Sequence, residues 1–120
     1  MVESYAPTVN RFDVSTGEVE EVTRLDGTVP DGIAFTEDGG VVVSCYRPDR
    51  IVHIDRNGVV EVIADDPQGT LLAAPTNIVF VGEARDRLVS ANLGRWHLTL
   101  LDAGLRGVPL HYPKRWAADA

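Results

Sequence analysis

The chain has 120 residues, with 11 Lys and Arg against 18 Asp and Glu for a formal net charge of −7. That balance opposes binding to nucleic acid or to an anionic membrane and is more compatible with a cationic ligand or a metal. Cys45 is the single cysteine, which excludes an internal disulfide and a thiol-rich metal site. The start of the chain has neither a basic run nor an apolar signal core, and no run approaches the roughly 18 apolar residues of a membrane span. The expected compartment is the cytoplasm.

In chain order, residues 8–14 alternate apolar and polar, pass through the turn-forming Ser15, Thr16 and Gly17, and continue into residues 18–25. This predicts a hairpin whose second arm, with Glu18, Glu20 and Glu21 beside valines, is a sheet edge or has one wet face. Residues 30–64 then predict a complete four-stranded unit. Its strands are 33–35, a nearly continuous apolar 41–45 covered on both faces, 51–55, and a more polar 59–63. Asp38-Gly39-Gly40 and Arg56-Asn57-Gly58 supply hairpin turns. The run 70–74 could make one helical turn. A further partial unit, 75–113, has strands at 78–80, 87–91 and 96–102. The tail beyond residue 105 has no clear period, and 114–120 is expected to fray. No helical period extends over ten residues, so the class is all-β.

The organising signal is a repeat. Pro30-Asp31-Gly32-Ile33-Ala34-Phe35 recurs as Pro75-Thr76-Asn77-Ile78-Val79-Phe80, 45 residues downstream. The second strands follow at an offset of 46, and the third strands at about 47. The third-strand pattern appears once more at residues 9–13. Repeats of about 40–45 residues, four strands each, are the signature of propeller blades, and 120 residues hold roughly two and a half of them. Residues 8–29 are then the end of one blade, 30–64 a whole blade and 75–113 part of another. The chain is expected to be a piece of a larger fold, or to complete itself by association.

In a radial array of sheets, residues starting the innermost strands converge on a common axis. Asp31 holds such a position and reads either as a ligand for a hard cation such as Ca²⁺ or Mg²⁺, or as a turn former in Pro-Asp-Gly. Asn77 aligns with Gly32, so it reads as a stand-in for glycine at a left-handed position or as a polar contact to a ligand. Tyr46, Arg47 and Arg50 lie on the loop after the second strand and are either solvated or, at a channel mouth, substrate contacts. His53 and His97 read as ordinary strand residues, Trp96 as packing between blades or part of a ligand wall, and Cys45 as a buried small hydrophobe. No nucleophile elbow, phosphate loop or zinc motif is present.

In their order, the segments Pro30 to Phe35, Asp38-Gly39, Cys45 to Ile51, Ala74 to Asn77 and Ala91 to His97 resemble the C-terminal part of the SMP-30/gluconolactonase/LRE-like family. The resemblance implies a six-bladed β-propeller, here partial, that hydrolyses a sugar-type lactone with one divalent cation in its central channel. Ca²⁺ is the first choice, with Zn²⁺, Mg²⁺ or Mn²⁺ as alternatives. It further implies that Asp31 is a metal ligand and a catalytic residue. Thr76 and Asn77 would lie near the same pocket. The family's other two metal ligands, a glutamate and an asparagine, have no matching position in this chain. The implied partners are a lactone substrate and either the missing blades or further copies of the chain. A non-catalytic propeller module for binding or assembly is the alternative.

Overall fold

A computed structural model of the chain describes residues 1–112. The frayed end expected at residues 114–120 lies outside them. The first sheet comprises β1 (Val2–Glu3), β2 (Thr8–Phe12) and β3 (Val19–Arg24). The second comprises β4 (Val29–Phe35), β5 (Val41–Tyr46), β6 (Arg50–Ile54) and β7 (Val60–Asp65), and the third β8 (Pro75–Val81), β9 (Arg87–Asn92) and β10 (Leu98–Leu101). Every pairing is antiparallel between sequential strands. No helix among the described residues is long and apolar enough to cross a membrane.

Packing between the sheets explains the apolar run of β5. Val42 joins Ile51, Leu72, Ile78 and Leu88 in a cluster facing the third sheet. Its neighbours Val43 and Cys45 point the other way, into a cluster with Val9, Leu25, Val52 and Ile54 against the first sheet. Both faces of the strand are thus covered, and alternation disappears from the sequence. β4 is the hub, because it packs against β1 on one side and β8 on the other.

The repeat is also visible in the turns. At the end of each third strand an aspartate accepts a backbone N–H two residues on: Ser15 to Asp13 at 2.8 Å, Asn57 to Asp55 at 2.8 Å and Gly104 to Asp102 at 3.2 Å. A register shift falls between Val9 and Asn10 in β2 and between Ile51 and Val52 in β6, positions that correspond when Asp13 is aligned with Asp55.

The structure corrects several expectations. The second strands correspond at an offset of 47, not 46. Phe35 pairs with Val41 and Phe80 with Leu88, so Val43 matches Ser90 and Cys45 matches Asn92. A slip of one residue would exchange the two faces of β9, and Leu88 would leave the core. Residues 70–74 form bends rather than a helical turn, because the Asp66 carboxylate takes the N–H groups of Thr70, Leu71 and Leu72 at 2.9, 2.6 and 2.9 Å. The first strand of the second sheet begins at Val29 rather than Ile33, since Val29 and Pro30 already pair with Tyr46 and Cys45. The aperiodic tail is a strap under the second and third sheets. Gly107 bridges Thr36, Glu37 donates its N–H to the Arg106 carbonyl at 2.9 Å, and Arg85 pairs with Glu37 at 2.9 Å.

Candidate functional site

The candidate site grows out of two matching β-bulges. In β4 the register shifts between Pro30 and Ile33, and in β8 between Pro75 and Asn77, so Asp31 and Thr76 are the extra residues at equivalent points of the two strands. A bulge re-aims the side chain it carries and bends the strand. Pro30 and Pro75, both fully buried, anchor the chain just before each bulge.

Gly32 follows Asp31 and explains why the two bulges lie together. A Cβ at Gly32 would lie 2.6 Å from the Asn77 Cα, 2.9 Å from the Thr76 carbonyl oxygen and 2.7 Å from the Ser44 Oγ. Only a residue without a side chain lets β4 and β8 approach this closely. The Gly32 N–H donates to the Ser44 hydroxyl at 3.0 Å, which fixes the bulge. The backbones of Thr76 and Asn77 therefore lie against Gly32, next to Asp31; Asp31 and Asn77 are exposed, Thr76 is half-buried, and the Asn77 Oδ1 accepts the Ile78 N–H at 2.9 Å. The left-handed reading of Asn77 fails. Neither Gly32 nor Asn77 has positive φ, so the glycine is there for close approach and not for conformation.

Tyr46 and Arg47 lie at the same end of the sheet, because Tyr46 pairs with Val29, two residues before Asp31. Tyr46 is half-buried, Arg47 is exposed with φ of 56°, and Arg50 is tied to Asp65 at 3.2 Å. Around this end the loops are held by polar contacts. Asp49 accepts the N–H groups of Arg47 at 3.3 Å and Ala74 at 3.0 Å. Asn92 accepts the Ala73 N–H at 3.2 Å and donates to the Thr99 hydroxyl at 2.8 Å. His97 Nε2 lies 2.9 Å from the Leu71 carbonyl oxygen. A polar cleft of about 370 Å³ opens between these loops. At the opposite end, a cavity of about 300 Å³ between the first and second sheets is lined largely by apolar groups such as Phe12, Phe35 and Val41.

Trp96 is fully exposed and does not pack one sheet against another among the described residues. His53, in contrast, is buried, with Nε2 hydrogen-bonded to no described group and 3.7 Å from the Asp38 carboxylate. Hydrogen bonds from the Thr36 hydroxyl and the Gly40 N–H hold the Asp38 carboxyl below its ordinary value. The same direction holds for Asp66, chiefly through the Leu72 and Leu71 N–H groups. Burial pushes the Cys45 thiol up, so it is no nucleophile.

For a divalent cation, Asp31 is a suitable single donor and no more. Among the described residues there is no group of three His, Cys, Asp or Glu side chains that could hold a metal. Ca²⁺ takes about six to eight oxygens, so these residues do not make a complete cation site.

Four-stranded and three-stranded antiparallel sheets packed side by side, each strand paired with the next in sequence, define part of a β-propeller. The sequence pattern of the SMP-30/Gluconolactonase/LRE-like region matches residues 1–91, most of the chain, and the protein belongs to that family. No curated protein matches the chain.

Proposed function

We propose that this chain forms part of a lactone-hydrolysing propeller, in which Asp31 is the carboxylate that serves the reacting centre. The observation that carries this reading is the bulge at Asp31 held against Thr76 and Asn77 by the Gly32 contact. It brings the backbone of Thr76 and Asn77 in the third sheet against the strand that carries the exposed Asp31 in the second. A bound divalent cation, with its remaining donors supplied from outside the described residues, would contribute Lewis acidity towards the ester carbonyl.

The chain's own residues have simpler tasks. Asp31 contributes one oxygen donor and a base for the attacking water, Thr76 and Asn77 orient the hydroxyls of a polyol ring, and Tyr46 and Arg47 border the approach. Hydrolysis adds the water oxygen to the carbonyl carbon and breaks the ring C–O bond. The ring oxygen leaves as a hydroxyl, giving a hydroxy acid. A cytoplasmic location accords with one buried, unpaired thiol, and the acidic charge disfavours nucleic acid and membrane as partners.

Since Asp31 alone does not hold a cation tightly, the 120-residue chain by itself is expected to bind metal weakly and to turn over little lactone. Measurable hydrolysis by the monomeric chain would refute that. In a protein with all its blades, Asp31→Asn abolishes activity, and unchanged turnover removes Asp31 from the mechanism.

One observation favours a second reading, a non-catalytic assembly module. β10 has a partner on one side only among the described residues, and Leu98 and Leu100 are exposed on it. Such an edge can accept another strand. A metal-insensitive oligomer that ignores lactones would favour this alternative, and mass in solution with a divalent-metal thermal shift separates the two.

A further inference from the structure

Nine arginines lie among the described residues, and six have defined partners. Arg11, Arg24, Arg50, Arg85 and Arg106 meet carboxylates within 4.0 Å, and Arg56 donates to the Asp38 carbonyl. Arg47, Arg87 and Arg95 are the three whose guanidinium groups make no ion pair or hydrogen bond with any described residue. Two of these three, Arg47 and Arg95, line the same 370 Å³ cleft. In a protein of net charge −7, one cleft thus has two arginines without an ion-pair partner among the described residues and one carboxylate, Asp49.

The cleft is built rather than incidental. Its single carboxylate, Asp49, is already engaged by the N–H groups of Arg47 and Ala74. The loop that contributes Gln68, Gly69, Ala73 and Ala74 to the cleft is held between them by Asp66 at the N–H groups of Thr70, Leu71 and Leu72 and by Asn92 at that of Ala73. Arg47 occupies a left-handed backbone conformation, φ of 56°, that L-residues other than glycine rarely adopt. Such conformations concentrate at ligand clamps. Gly94 lies against the Ala73 backbone, where a Cβ would be 3.2 Å from the carbonyl oxygen, so the Arg95 loop is pressed onto the loop that carries Ala73.

We propose that this cleft binds an oxyanion, the carboxylate or phosphate group of a small ligand, between the guanidinium groups of Arg47 and Arg95. Guanidinium forks match the geometry of both groups and form charge-assisted hydrogen bonds with them. The site goes beyond the lactonase reading and stands whether or not the chain hydrolyses an ester. The anion is either free or a substituent on a polyol, and the two sources share this chemistry.

The test is titration of the full chain with inorganic phosphate and, separately, with 6-phosphogluconate, followed through the amide signals of Gly69, Gly94 and Arg95 and the Nε–H signals of the arginines. Saturable shifts in the millimolar range are expected, weakening roughly tenfold in Arg95→Gln and further in Arg47→Gln/Arg95→Gln. Arg87→Gln, outside the cleft, should leave them unchanged. Tighter binding of 6-phosphogluconate than of phosphate assigns the anion to a polyol ligand, and equal binding assigns it to a free ion. Arg95→Gln alone decides the matter if the Arg47 variant unfolds. Absence of saturable shifts, or shifts that survive Arg95→Gln, overturns the proposal.

Discussion

Gly32 and Asn77 touch backbone to backbone across two sheets, with space for a Cβ at Gly32 only 2.6 Å from the Asn77 Cα. Gly32→Ala therefore forces β4 and β8 apart instead of displacing a flexible side chain. The expected loss is about 1–3 kcal/mol, as for other overpacked sites, seen as a drop in melting temperature. Because the same shift moves Asp31 from Thr76, a silent Gly32→Ala would undo the geometry on which the candidate site rests.

Ser90 gives a prediction of the opposite sign. Its hydroxyl is fully buried without a hydrogen-bond partner among the described residues, while the matching position in the second sheet is the core residue Val43. Ser90→Ala removes an unsatisfied polar group and should stabilise the chain by about 1 kcal/mol, or roughly 4 °C in melting temperature. A lower melting temperature would mean that the hydroxyl has a partner.

Leu88 and Trp96 lie eight residues apart in sequence and at opposite extremes of exposure, 0% against 106%. Leu88→Ala leaves a cavity in the cluster with Val42, Ile51 and Ile78 and should cost about 2–5 kcal/mol. Trp96→Ser should stay within about 0.5 kcal/mol of the parent. Equal losses from the two, measured by urea unfolding, would contradict the strand register of the third sheet.

The Asp66 loop should make stability depend on acid. Its carboxyl is held below the ordinary value of about 3.9 by the N–H groups it accepts. The stabilisation is therefore complete above that value and is lost as pH falls through the folded-state pKa. Asp13, Asp38 and Asp55 are lowered likewise and act in the same direction. Melting temperature should be level near neutrality and fall below about pH 4. Asp66→Asn should lower the neutral value and flatten the acid limb, and an unchanged acid limb would show that this loop does not contribute.

Cys45 should be silent to a thiol reagent until the chain unfolds, because it is fully buried and burial raises its pKa. Rapid labelling under native conditions, followed by absorbance of the released thiolate, would show that the first and second sheets separate readily.

Local chemistry carried most of what was legible in advance. The Pro-x-Gly and Pro-Thr-Asn starts, the Asp-Gly and Asn-Gly turns and the nearly continuous apolar run at 41–45 act over a few residues, and each marks its own strand or turn. Where expectation missed, a contact that periodicity does not show had decided. Residues 70–74 lack a helical turn because Asp66 captures their N–H groups. β1 escaped notice because its two residues are a strand only through pairing with Val9 and Thr8.

The sequence by itself determined an all-β chain of repeated blades, since repeat length, turn residues and apolar runs are properties of neighbouring residues. Only the tertiary structure decided which face of each strand is buried. A one-residue change of offset reverses the faces, and that choice is made by the sheet packed opposite. The same holds for Gly32, whose missing side chain has meaning only against Asn77, and for Arg47 and Arg95, which share one cleft only after the second and third sheets have packed.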